Sequence, residues 1–352
     1  MIATVALAPE ALVDPALGTA LPILRGVHTA LLERIAAHAA IVEGSGEEIS
    51  ELLKSIERLP VELKPKWKTL LTEFYKTQRF APMNPPRTSR IGDNHTAAEL
   101  ADLAGRIDLM VVPLSQASEL GAGPDGLGAL LANDIEVAAI PAALYCNTLH
   151  RLASLAELGL VPHGTPREQF WNDVLRAPLR LSRTITVLDR YLFRGLAHHY
   201  DNLPASRNWM PEAIVWLLRH LDADRGPDAV PTTVTLIADS SLSSGFGSAD
   251  TAAAAIREFW QRTPDGTVKD VEVRLGPWKL PGGGLLPHDR HIRSNIGVGF
   301  KIFAGLDRLG QQTVTDTDGM SWQYIHAAAA VKSLQAAETR SIGSAGMSCA
   351  LV

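Results

Sequence analysis

Asp108-Leu109-Met110-Val111-Val112-Pro113 is an apolar run closed by a proline, and it reads as a buried strand. Ile135-Glu-Val-Ala-Ala-Ile140 has the same character, and a helix rich in alanine and leucine, residues 96–105, precedes the first run. Short apolar strands alternating with helices predict an α/β layer with parallel strands. Upstream, residues 3–8 read as a strand. Residues 14–42 read as one long helical stretch, because Leu21, Leu24, Val27, Leu31, Leu32 and Ile35 recur at spacings of three and four. Ser45 and Glu48 have the spacing of a capping box before a second helix. Trp67, Leu70, Leu71, Phe74 and Tyr75 mark a third, and a loop over residues 80–95 follows.

Downstream, Val161-Pro-His-Gly164 reads as a joint, and Thr165-Pro166-Arg167-Glu168 supplies helix-start residues after it. Thr184-Ile-Thr-Val-Leu188 and residues 233–238 read as strands, separated by a helix over residues 211–221. Asp250 is placed to cap a helix over residues 251–261. Residues 268–275 alternate like an edge strand, and residues 296–303 read as another strand. The expected organisation is two domains. An N-terminal α/β domain covers 1–160, a second domain covers 165–332, and a flexible tail rich in Ala, Ser and Gly covers 333–352.

The chain has 352 residues, 46% of them hydrophobic and 20% charged, enough for sizeable cores. A net charge of −5 argues against an electrostatic nucleic-acid binder over its whole surface and leaves room for a local basic patch. Two cysteines, Cys146 and Cys349, form neither a disulfide framework nor a zinc site. With no apolar run of membrane-spanning length and no basic leader at Met1, the expectation is a cytoplasmic protein without a transmembrane segment.

The densest polar cluster is Pro287-His-Asp-Arg-His-Ile-Arg-Ser-Asn295, between the glycines 282–284 and a strand. Arg290 and Arg293 can fork onto phosphate or carboxylate oxygens, and His288 titrates near working pH. The same residues also suit an ion-pair network bracing strand ends, with Asp289 against an arginine. Acidic residues at strand ends, Asp189 and Asp239, suit either helix caps or partners for His288.

His288-Asp-Arg-His-Ile-Arg293, the later Gly305-Leu306-Asp307, and Ile185-Thr-Val-Leu-Asp189-Arg190-Tyr191 together resemble the phospholipase D-like C-terminal domain of MIT (microtubule interacting and trafficking) proteins. The resemblance covers residues 165–332 and implies a mixed sheet flanked by helices. Phospholipase D enzymes use His-x-Lys-x4-Asp, which places His288 at the histidine, Arg290 at the lysine and Asn295 at the aspartate. An asparagine cannot hold the histidine's charge as a carboxylate would, so the resemblance implies a dimeric module that has lost catalysis. Its expected partners are a phosphorylated ligand, nucleic acid or a protein, in a bacterial defence or stress setting. Arg290, Arg293 and Arg190 are the expected phosphate binders. The alternative is a phosphodiesterase or nuclease in which a homodimer works through His288, Arg290, Asn295 and Asp189.

The N-terminal half resembles a PIN-like nuclease layout, a short strand, helices, then strands carrying Asp108 and near Asp134, with Asp14 and Glu43 upstream, although the first strand offers Ala8 or Glu10 where that layout has a buried aspartate. No cofactor is expected, save a divalent metal should those carboxylates gather around one. Solvated acidic residues on ordinary helices are the simpler account. Arg79, Arg87 and Arg90 form a small basic group in the loop between.

Overall fold

The computed structural model describes residues 2–18, 20–124, 126, 134–154, 158–200, 212–223, 229–241, 245–277, 290–303, 305–315, 317–343 and 346–352. They form two compact units, one within Met1–Leu155 and the other within Ala156–Arg225 and Ala229–Val352. No described helix is long and apolar enough to cross a membrane.

The first unit holds β1 (Ala3–Leu7), β2 (Ala39–Glu43), β3 (Phe80–Pro82), β4 (Leu109–Val112) and β5 (Glu136–Ala139). Their order is β3-β2-β1-β4-β5, and every pairing is parallel. Parallel neighbours need crossovers, here helices Leu21–His38, Glu48–Glu57 and Lys64–Lys76 among others, so the central strands are covered on both faces. β1, β4 and β5 are accordingly buried at every position. The helical stretch expected over 14–42 divides: the helix stops at His38, where Ala39 turns to φ −125° and ψ 152° and begins β2. Residues 96–105, expected as a helix, hold only a short 3-10 turn, Ala101–Leu103. Ser45 and Glu48 do meet, with the Glu48 carboxylate accepting from the Ser45 backbone amide at 3.0 Å. In the core, Trp67 Nε1 donates to Nδ1 of the fully buried His28 at 3.1 Å.

The second unit holds β6 (Gly159–Val161), β7 (Thr184–Leu188), β8 (Thr232–Asp239), β9 (Val268–Gly276), β10 (His291–Ser294), β11 (Val298–Ile302), β12 (Met320–Ile325) and β13 (Ser348–Leu351). The order is β13-β9-β8-β7-β10-β11-β12-β6, a mixed sheet. β7, β8 and β9 are parallel, with helices Glu212–Ala223 and Ala249–Phe259 in the crossovers. Every other pairing is antiparallel. Ser248, rather than Asp250, caps the second of these helices by accepting from Thr251 N.

Two boundaries differ from expectation. β6 pairs with β12 and belongs to the second sheet, so the break between units precedes residue 160. Residues 333–352 are not a frayed tail. They carry most of helix Ala328–Ile342 and then β13, which pairs with β9 and removes it from the sheet edge. That helix buries Leu334, Ala337, Glu338 and Ser341, one stripe at helical spacing made largely of small and polar residues.

Candidate functional site

β7 and β8 run in the same direction, so Asp189 and Asp239 stand together at their carboxyl ends. β10 is antiparallel to β7 and pairs His291 with Leu188, which brings Arg290 in at the same end. β11 leaves there too, leading to Gly305 and the 3-10 turn Leu306–Gly310. Carboxyl ends of parallel strands are where open α/β sheets gather polar groups, because loops rather than packed helix surface cover them.

Asp189 is 1% exposed. Its carboxylate accepts from Tyr191 N at 2.9 Å and Leu306 N at 3.1 Å, and lies 3.5 Å from Arg290 Nε. Burial raises its pKa above the ordinary value, and the Arg290 charge and the two amides oppose that shift only in part. Asp239, also 1% exposed, accepts from Ser241 N and Oγ and from Arg190 Nε at 3.2 Å. Asp307 has its pKa raised, first by burial and then by the charge of Asp189.

Around these carboxylates stand cations. The guanidinium carbons of Arg190, Arg194 and Arg290 lie 5.0, 5.4 and 5.5 Å from the centroid of the Tyr191 ring. The side chains of Arg190 and Arg290 are each 20% exposed. Each cation gains about 1 kcal/mol from the ring, and the carboxylates of Asp239 and Asp189 balance Arg190 and Arg290. Gly305 has φ +97°, and a Cβ there would lie 2.5 Å from Arg290 Nη1 and 2.6 Å from Asp307 Oδ1. Glycine is required both by that backbone conformation and by the approach of the Arg290 fork.

The structure separates residues that the sequence placed together. Arg293 does not join Arg290. Its Nε and Nη2 fork onto Glu338, at 2.8 and 2.6 Å, and Glu338 also accepts from the buried His291 Nε2 at 3.0 Å. Burial works to raise the Glu338 pKa, but the bonds from His291 and Arg293 outweigh it and hold it below its ordinary value. Asn295 lies at the opposite end of β10, where its Oδ1 accepts from Arg183 N at 2.9 Å and Thr184 N at 3.1 Å. The position of the aspartate in the phospholipase D pattern therefore tethers the start of β7. His288 and Asp289 lie outside the described residues, as do glycines 282–284. Arg194 was missed as a site residue: it opens the helix Arg194–Tyr200, and the turn over residues 190–193 that carries it back to the Tyr191 ring has no distinct sequence signal.

The first unit splits the expected nuclease carboxylates between the two ends of its sheet, with Asp108 and Asp134 lining one pocket beside Glu136. Asp108 accepts from Thr4 N and Oγ1 where β4 begins, and Asp134 sits just before β5. Glu43 ends β2, and Asp14 accepts from Leu114 N just beyond β4, so these two stand at the other end of the sheet. No group of three metal-ligating side chains occurs among the described residues. The carboxyl ends of β1 and β4, where the strand order reverses, are packed against the chain itself. Arg90 pairs with Glu10 at 2.9 Å, Gly92 abuts Ala8, and Gln116 donates to the carbonyls of Gly92 and Asn94. The loop arginines are engaged as well: Arg79 lies over Phe74, and Arg87 pairs with Asp102 at 3.3 Å.

Compared with known proteins, the chain matches no family model and no curated protein. The site must be read from its own geometry.

Proposed function

We propose that the second unit recognises a phosphoanion through Arg190, Arg194 and Arg290, as a phospholipase D-like module that binds rather than cleaves. The observation that carries this reading is the convergence of three guanidinium groups on the single ring of Tyr191. Asp239 and Asp189 orient Arg190 and Arg290 through ion pairs, and a tetrahedral anion between the guanidinium forks would accept charge-assisted hydrogen bonds from their remaining N–H groups. Arg293 is left out of the binding set because Glu338 holds it. What supports binding over catalysis is Asn295, which tethers backbone at the far end of β10 and has no carboxylate to offer a histidine. The dimeric state and a bacterial defence or stress setting rest on the resemblance alone.

Fluorescence polarisation with a labelled single-stranded oligonucleotide tests the proposal. Saturable binding is expected at 50 mM salt, weakening with added salt as released counterions require. Arg190→Gln, Arg194→Gln and Arg290→Gln should each weaken it about tenfold and lower the salt slope by about one. Arg293→Gln and His288→Ala should leave it within about twofold. Absence of binding, or equal affinity in the triple variant, overturns the reading. Hydrolysis of the oligonucleotide that His288→Ala abolishes would replace it with the catalytic one.

A further inference from the structure

The carboxyls gathered at the carboxyl ends of β7 and β8 are not equivalent. Asp189 is fixed by two backbone amides and Arg290, and Asp239 by Ser241 and Arg190. Asp307 comes after β11, in the turn Leu306–Gly310, and its half-buried side chain makes no ion pair among the described residues. Its carboxyl accepts from its own backbone amide. The charges that act on it come from three directions: Asp189 at the end of β7, Arg290 just ahead of β10, and Arg308 in its own turn. Gly305 brings this carboxyl up to the arginine site. A Cβ there would meet Arg290 Nη1 and Asp307 Oδ1 at nearly the same short distance, so both atoms border one bare stretch of backbone. Arg290 turns its Nε to Asp189, while its Nη1 has a long contact, 3.5 Å, with the Phe303 carbonyl oxygen.

An anion drawn to the Arg290 fork therefore arrives beside a carboxyl held in no ion pair. Ionised, Asp307 repels the incoming charge. Protonated, it has an O–H to donate to one of the anion's oxygens. Burial and the charge of Asp189 already raise its pKa above the ordinary aspartate value, and Arg308 and Arg290 oppose that only in part. A bound anion adds another negative charge and raises it further. The occupied site then holds more protons than the empty one, so affinity must increase as pH falls.

We infer that the arginine site takes up its anion together with a proton, carried by the Asp307 carboxyl and shared with the bound oxygen. This rests on the phosphoanion reading of the site and adds the condition that governs its affinity. Fluorescence polarisation of the full chain with a labelled oligothymidylate tests it, because the phosphodiesters and bases of that probe keep their charge between pH 5.5 and 8. At constant salt the affinity should rise about tenfold as pH falls across that range. Isothermal titration at pH 6.5 in two buffers of different protonation enthalpy should show net proton uptake on binding. Asp307→Asn keeps the shape and a hydrogen-bond donor without the charge. It should bind at pH 8 at least as tightly as the native chain, and lose both the pH dependence and the proton uptake. Asp307→Ser, which removes the carboxyl altogether, should lose them too. His288→Ala should keep the native slope. An affinity that does not change with pH, a slope that survives in both Asp307 variants, or one that His288→Ala abolishes overturns the inference and leaves the phosphoanion reading standing. Absence of binding at every pH overturns both.

Discussion

Asp189 and His28 are both buried titratable side chains, and their effects on stability run in opposite directions with pH. The Asp189 carboxyl has its pKa raised, so the fold holds its proton more tightly than the unfolded chain does. Its contribution is complete below the ordinary aspartate range and is lost as pH rises through the raised value. Asp189→Asn keeps the shape without the charge, and urea unfolding from pH 4 to 8 should show a flatter profile in that variant. Burial lowers the His28 pKa to about 4, so its neutral ring favours the fold above pH 6.5 and that contribution is lost as pH falls towards 4. The shift corresponds to about 3 kcal/mol. His28→Gln retains an acceptor for Trp67 Nε1, and acid titration of the first unit's unfolding should then lack the drop between pH 6.5 and 4. None of this was legible beforehand, because a histidine inside a leucine-rich helical stripe looks the same in sequence whether it is a ligand or a core residue. The arginines were legible as a phosphate-binding residue type. Which of them converge depends on strand direction and on a glutamate that is remote in the chain.

That glutamate matters most at the scale of the element. Glu338 ties helix Ala328–Ile342 to β10 through His291 and the Arg293 fork, with its own side chain 4% exposed. Glu338→Ala leaves the half-buried Arg293 without its counter-charge and the buried His291 without its acceptor, and thermal or urea unfolding should register a loss of about 3 kcal/mol. Glu338→Gln keeps an acceptor and should cost less. Because the Glu338 pKa is depressed, the native contribution is present above its ordinary value of 4.5 and is lost as pH falls through the lowered one. This helix was read as the start of a frayed tail for a physical reason. Its buried stripe uses Ala337, Glu338 and Ser341 with a single leucine, too little hydrophobicity to outweigh the Ala, Ser and Gly around it. The buried strands β4, β5 and β7, by contrast, were plain from their apolar residues alone.

Across the whole molecule, alternating strand and helix correctly indicated an α/β chain, and the structure adds a parallel sheet in one unit and a mixed sheet in the other. The two thiols give a simple check on this architecture. Cys146 is buried, with its pKa pushed up to about 12, whereas Cys349 is exposed on β13. Iodoacetamide at pH 8 should modify one cysteine in the native chain and two in urea, read by mass spectrometry. The strand pairing also corrects where the second unit must begin. A fragment starting at residue 165 lacks β6 and leaves the outer edge of β12 unpaired, so it should unfold at a lower temperature than one starting at 156 and self-associate more readily.

The same pairing bears on the order of assembly. β6 is the first strand of its sheet to be synthesised and docks at the far side of the last but one, Val161 against Met320. Until that late hairpin exists, β6 has no partner in its own sheet, and closing so long a loop delays the contact. Completion of that margin of the sheet should therefore be the slow phase of refolding, and the margin should be the first to open in hydrogen exchange.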